Sequence, residues 1–383
     1  MSTSCPSGTL GDMRAVIWRA SASILIGLGL AACAASSSAT AGGTPNTSLS
    51  TASTQPSAAE QTATPEASPS DAGWQPVEVA GNVPAAREDH TMTVTPDGST
   101  AYVFGGRTAD GEALGDLWAL DLATDSWSRV PANGPPARFG HNAAWVEGVG
   151  LVIFAGQSAA TFYNDLWAYD PAADEWSELP AGGDPPVARY GSCASVGPDG
   201  RLWISHGFTS EGSRFADTRA YDFDVASWTD ETPAAERPVK RCLHGCWWTD
   251  DGRLALYAGQ TDGVPSLGDL WQLTPGRRPG TNAWSEVGPA DRWPDARQLY
   301  AFVRWGNATL VFGGRALNGD YLADAWLIED AGGVARVRVD RLPPARSGAE
   351  LVADPARGRV LLFGGRDADA AMDDQWQLEL PLP

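Results

Sequence analysis

A chain of 383 residues with 43% hydrophobic residues, 43 glycines, 28 prolines and 17 tryptophans holds enough apolar material for one large or two ordinary domains. So many turn formers argue against a fold of long helices and for frequent short strands. A formal net charge of −20, with Lys240 the single lysine, argues against a phosphate backbone as partner.

In chain order, the first predicted element is an export signal over residues 1–33, with its start placed at Met13. Arg14 and Arg19 supply the positive end, and Ala20 to Ala32 is an apolar run too short to span a bilayer. The run closes on Leu30-Ala31-Ala32-Cys33, which resembles the lipobox of bacterial lipoproteins. That resemblance implies a lipid on Cys33 and a protein anchored at a bacterial membrane, facing the periplasm or the exterior. An ordinary secretory signal is the alternative, because Ala32-Cys33-Ala34 also has the small-x-small form. Residues 34–70 are nearly all Ala, Ser, Thr, Pro, Gly and Gln, with no aromatic residue, and cannot bury enough to fold. They are expected to form a disordered tether with a reach on the order of 35 Å.

From residue 71 to 383 one unit repeats six times. The second glycine of a strand-ending pair falls at Gly106, Gly156, Gly207, Gly259, Gly314 and Gly365, at intervals of 50, 51, 52, 55 and 51 residues. An Asp follows each: Asp116, Asp165, Asp217, Asp269, Asp324 and Asp374. Two residues on stands Trp118, Trp167, Trp271, Trp326 or Trp376, with Arg219 in the third copy. An Arg opens each unit: Arg87, Arg138, Arg189, Arg241, Arg297 and Arg346. In the second copy Arg138 to Val146, Leu151 to Gly156, Asp165 to Tyr169 and Glu175 to Leu179 read as four short strands. The copies are unequal. The second, third and fourth put Ala155, His206 and Ala258 where the others have the first glycine, and the fifth lacks a second Trp.

A period near fifty with glycine pairs and spaced tryptophans resembles kelch repeats. The resemblance implies an all-β, six-bladed propeller like the central domain of galactose oxidase, four strands to a blade. Tryptophans would fill the gaps between blades, Asp would hold the loop turn, and the unit Arg would pair with an acid or with carbonyls. The last unit stops after its third strand. Trp74 precedes Arg87 by 13 residues, as Trp176 precedes Arg189, so Trp74 to Val79 is expected to complete the sixth blade and close the ring.

Catalytic signatures are sparse. His90, His141 and His244 each lie three residues after the unit Arg, on what the resemblance makes the innermost strand. Backbone-bonded repeat residues are a better reading of them than a metal trio, and His206 reads as a core residue. Cys242 and Cys246 share one side of a strand and are too far apart to bridge each other. Cys193, in the third blade, points to the opposite sheet face from Cys242 and Cys246 in the fourth, which makes a Cys193–Cys246 disulfide possible, with Cys242 the rival. No metal or cofactor is expected. The leading class is a non-catalytic protein- or carbohydrate-binding module, expected to be a monomer, touching membrane only through its lipid and not binding nucleic acid. The loops after the glycine pairs vary most and carry the ligand candidates Arg107, Phe162, Tyr163, Phe208, Phe215, Arg315, Tyr321 and Arg366. Resemblance to the family's adaptor members adds the six unit arginines as channel-mouth candidates, although sixfold recurrence favours a structural role for them. The enzyme alternative is a copper-radical oxidase or sugar epimerase on the same architecture, for which no matching ligand set is found.

Overall fold

The apolar run before each glycine pair forms a strand buried along its whole length. Gly150–Phe154, Ala308–Phe312 and Arg359–Phe363 are buried at every position. A strand with both faces covered needs no polar alternation, because sheets lie on either side of it. The outer strands are mostly exposed: in Ser126–Val130 only Trp127 is buried. This computed structural model describes residues 73–79, 82–131, 133–159, 161–278, 280–288 and 293–381. The expected export signal, Cys33 and the tether lie outside the described residues.

Six sheets follow in chain order, antiparallel except that Gly182–Gly183 pairs in parallel with Ser227–Asp230 at the edge of the third. The first blade is Thr91–Val94, Thr100–Phe104, Leu117–Asp121 and Ser126–Val130. The second is Asn142–Val146, Gly150–Phe154, Leu166–Asp170 and Glu175–Glu178. Its first strand is shorter than the sequence suggested, because Gly140 is left-handed at φ 58° and keeps Arg138 outside the ladder. In the third and fourth blades the middle hairpins run longer, over Leu202–Phe208 with Arg214–Asp222 and over Leu254–Thr261 with Val264–Thr274. The fourth sheet also reaches the fifth unit through Arg297–Gln298 and Arg315–Ala316.

The ring closes as the repeat count requires. Gln75–Pro76 pairs antiparallel with Gln375–Glu379, with Gln75 opposite Gln377, and so supplies the outer strand of the sixth blade. The strand is only two residues long, and Val77 N adds one more bond to the Gln375 carbonyl at 2.8 Å. Trp74 beside it is fully buried and donates its backbone N–H to the Arg341 carbonyl.

Each of six hydrophobic clusters straddles one seam between neighbouring blades. Leu151, Ile153 and Tyr169 of the second blade meet Tyr102, Phe104 and Leu117 of the first. The sixth and first blades join through Leu361 and Phe363 against Val103, Leu120 and Trp127. The outer-strand tryptophans are the plates of these seams. Trp127 lies 5.0 Å from Phe363, Trp176 5.4 Å from Phe104, Trp228 5.1 Å from Phe154 and Trp74 5.2 Å from Phe312, each on the blade before its own. The fifth unit, lacking that Trp, uses Trp293 instead, stacked 6.3 Å from Tyr257.

Candidate functional site

The repeated Arg and Asp are one device. Arg87 donates through Nη1 and Nη2 to the two carboxylate oxygens of Asp116 at 2.9 Å each. Its Nη1 also reaches the Gly105 carbonyl at 2.9 Å, and Nε the Ala85 carbonyl at 3.0 Å. Trp118 Nε1 donates to the same Asp116 at 2.6 Å. The Arg–Asp fork recurs in all six blades: Arg138 with Asp165, Arg189 with Asp217, Arg241 with Asp269, Arg297 with Asp324 and Arg346 with Asp374. In the third blade Arg219 takes the tryptophan's place and donates to Asp217 at 3.4 Å. The Asp is thus spent on side chains rather than on the turn. Burial pushes Asp116 up, but hydrogen bonds and charge from Arg87 outweigh it and hold the carboxyl below its usual value.

This corrects the channel-mouth expectation. The side chains of Arg87, Arg138, Arg189, Arg241 and Arg297 are 0% exposed, and Arg346 is fully buried with them. Each is already neutralised, so they form no open basic ring. Tyr163 and Phe215, offered as ligand contacts, lie instead over Arg138 and Arg189 at 4.1 and 4.4 Å.

Two residues past each unit Arg the backbone turns left-handed: Asp89, Gly140, Gly191, Leu243, Leu299 and Gly348 all have φ between 53° and 64°. These six are joined head to tail. Gly140 N donates to Asp89 O, Gly191 to Gly140, Leu243 to Gly191, Leu299 to Leu243, Gly348 to Leu299 and Asp89 back to Gly348, at 2.7 to 3.2 Å. The result is a closed hydrogen-bonded ring around the axis. Sequence reading missed it, because three glycines among six varied residues give no motif. At the first-glycine position the three non-glycines Ala155, His206 and Ala258 hold φ of 62°, 60° and 57°, which explains why glycine is the usual choice there.

Below the ring lies an axial cavity of ≈ 160 Å³. Asp89, Tyr190, Tyr300 and Glu350 line it, together with the three unit histidines. Those histidines sit just before their strands and pack into the seams. His141 lies edge-on to Phe104 at 5.3 Å and its Nε2 meets the Thr91 hydroxyl at 2.9 Å; His90 lies edge-on to Phe363 at 5.4 Å. Burial, then the nearby Arg87 charge, pushes His90 down to about 3. His206 is fully buried, beside Ser205 and 5.5 Å from His244. No cluster of three metal-ligating side chains occurs among the described residues.

Left-handed Leu243 also breaks the alternation assumed for Cys242 and Cys246, which therefore do not share one strand. Cys246 is bonded to Cys193 across the seam of the third and fourth blades, Cα–Cα 5.7 Å, and Cys242 is a buried free thiol.

The remaining ligand candidates group at the rim of the ring. Arg107 pairs with Glu88 at 3.1 Å and Asp89 at 3.0 Å while covering Phe139; Arg366 pairs with Glu88 at 3.0 Å. Arg315 lies over Tyr321 at 5.1 Å, and Phe162 sits 6.2 Å from Phe208. Arg107 and Arg366 share one acid and form one site, whereas Arg315 with Tyr321 and Phe162 with Phe208 occur on other blades. Glu88, Asp89 and Glu350 were not singled out by sequence, although Glu88-Asp89 is the one acidic pair directly following a unit Arg.

Fold and seam chemistry define a six-bladed propeller of the kelch class. Residues 63–252 match the family model described as the KLHDC2/KLHL20/DRC7 Kelch-repeats domain. This chain carries a kelch-repeat domain. It is 28% identical over 262 residues to Kelch domain-containing protein 3 of Bos taurus, covering 65% of each chain. It is 26% identical over 241 residues to the leucine-zipper-like transcriptional regulator 1 homolog of Drosophila melanogaster, covering 63% of this chain and 19% of that one. It is also 27% identical over 262 residues to the N-(sulfonatooxy)prop-2-enimidothioate sulfolyase of Thlaspi arvense, covering 63% of this chain and 74% of that one. The chain spans less than two thirds of the first two of these relatives.

Proposed function

We propose that this chain is an exported, lipid-anchored kelch propeller acting as a non-catalytic binding module for a protein or a carbohydrate. The observation that carries the reading is the rim around the hydrogen-bonded ring. There the loops that differ between blades place partly exposed arginines and aromatics beside the ring, while the Arg, Asp and Trp that the blades share are consumed in holding them together. The enzyme alternative has one point of support, the likeness to a protein named as a sulfolyase.

The test is a glycan array and an envelope cross-linking experiment with the purified chain, repeated with Arg315→Glu and Arg366→Glu. Glu147→Ala, an exposed hairpin residue at the opposite rim, serves as control. The reading expects a ligand retained without turnover, lost with the rim variants and kept with the control. Stoichiometric copper with peroxide formation, or turnover of a sugar, would overturn it. Cys33→Ala tests the anchor: the chain should leave the membrane fraction.

A further inference from the structure

Some polar side chains around the axial cavity satisfy one another. Asn142 Nδ2 donates to the Ser192 carbonyl and Ser192 Oγ to Asn142 Oδ1, both at 2.7 Å. Tyr300 OH donates to the Tyr257 carbonyl and accepts from Gly245 N, also at 2.7 Å. Left over are both ring nitrogens of His90 and of His244, Nδ1 of His141, and two carboxyls on the seam of the sixth and first blades. Asp89 is 7% exposed; its Oδ2 takes Arg107 at 3.0 Å and Tyr190 OH at 3.4 Å, but Oδ1 is buried with no partner among the described residues. That oxygen lies over Gly348, where an added Cβ would sit 2.7 Å from it, two residues before Glu350. Glu350 lines both the cavity and the wider space beneath it, and nothing among the described residues bonds or neutralises its carboxyl.

The nearby cations are committed. Arg107 and Arg366 serve Glu88 and Asp89, and Arg304 beneath Glu350 is held by Asp330 at 2.5 Å and Asp250 at 3.1 Å. His90, His141 and His244 are held neutral, first by burial and then by neighbouring positive groups. Tyr190 and Tyr300, pushed up chiefly by burial, also stay neutral. Glu88 and Asp89 are thus met by two guanidiniums and Glu350 by none.

We propose that this cavity binds a primary alkylammonium group between Asp89 Oδ1 and the Glu350 carboxylate, its carbon chain lying against Tyr190, Tyr300 and Phe302. An anion would meet two carboxyls. No three metal-ligating side chains converge among the described residues, and a multivalent metal would want at least that many. A slender ammonium supplies the missing charge and three N–H donors, and the aromatic walls suit its stem and its charge. Burial, then Asp89, pushes Glu350 up to about 8, and burial, with Arg107 pulling down and Glu88 pushing up, sets Asp89 at about 6. A bound ammonium therefore displaces the Glu350 carboxyl proton to solvent, leaving an ammonium–carboxylate pair, and affinity rises as pH rises toward about 8. The amine is either a lysine side chain of a partner protein or a free small amine. The inference deepens the binding reading and rests on it only for that source.

The test is calorimetric titration of the purified chain at constant ionic strength with n-butylammonium, with Nα-acetyl-lysine methylamide, and with butanol and sodium ion as controls. Two buffers of different ionisation enthalpy count released protons without any variant. Expected are saturable binding of butylammonium alone or of both amines, proton release near neutral pH, and affinity about tenfold or more weaker in Glu350→Gln and in Asp89→Asn. Binding of both amines assigns the source to a lysine side chain, and binding of butylammonium alone to a free amine. No saturable amine binding, equal binding of butanol, or affinity unchanged in both variants overturns the proposal. Amine binding with no rim ligand removes the module reading and leaves the pocket; a rim ligand with no amine binding does the reverse.

Discussion

A guanidinium with no exposed surface is tolerable only while every donor is met. In each unit two carbonyls and a carboxylate meet it, and the carboxylate is held in turn by an indole in five of the six blades. Removing the acid strands the charge. Asp269→Ala, which leaves Arg241 unpaired, is expected to cost about 3–5 kcal/mol in urea unfolding. The channel carboxyl behaves oppositely. Glu350 has a folded value near 8 against 4.5 for the free group, so its stabilising share is complete below about pH 4.5 and lost as pH rises through 8. Glu350→Gln should therefore gain stability relative to the parent between pH 5 and pH 8, read as urea midpoints; a constant difference would refute it. The buried histidines limit the acid side, since His90 and His206 fall from 6.5 to about 3 and their share is lost as pH drops through that interval. At this scale sequence offered an acid and carbonyls as alternative partners of the unit Arg; the fold supplies both at once, bringing together an Arg and an Asp that lie 27 to 29 residues apart.

Strands were legible where packing is symmetrical. A run buried on both faces, such as Gly150–Phe154, announces itself by composition, and the glycine pair marks its end. Boundaries failed where one left-handed residue interrupts an extended run, as Gly140 and Leu243 do. The outer strands depend on their tryptophans. Trp74→Ala removes the plate between the fifth and sixth blades and should cost about 3–5 kcal/mol, measured by thermal or urea unfolding. Gly140→Ala tests the axial ring: a Cβ there runs into the Tyr190 ring and the left-handed backbone is strained as well, so a loss of about 1–3 kcal/mol is expected. Unchanged melting would mean that the ring yields more easily than its hydrogen bonds imply.

Across the molecule, six seams hold the ring, and one of them is covalently reinforced. The Cys193–Cys246 bond closes a loop of 53 residues between the third and fourth blades. Its removal by Cys193→Ser with Cys246→Ser should lower stability by about 2–4 kcal/mol, read as a shifted urea midpoint. The recurring unit made the ring legible from sequence; the cavity was not, since its carboxyls occupy positions that vary from blade to blade.

The sixth blade alone is assembled from both ends of the chain, and its contribution from the N-terminal side is a strand of two residues. Mechanically this is the weakest link of an otherwise circular structure. Tension applied through residues before Trp74 would load Gln75–Pro76 first. It would peel that strand from Gln375–Glu379, draw Trp74 from its seam and uncoil the ring from the sixth blade, while the disulfide-linked third and fourth blades stay closed the longest.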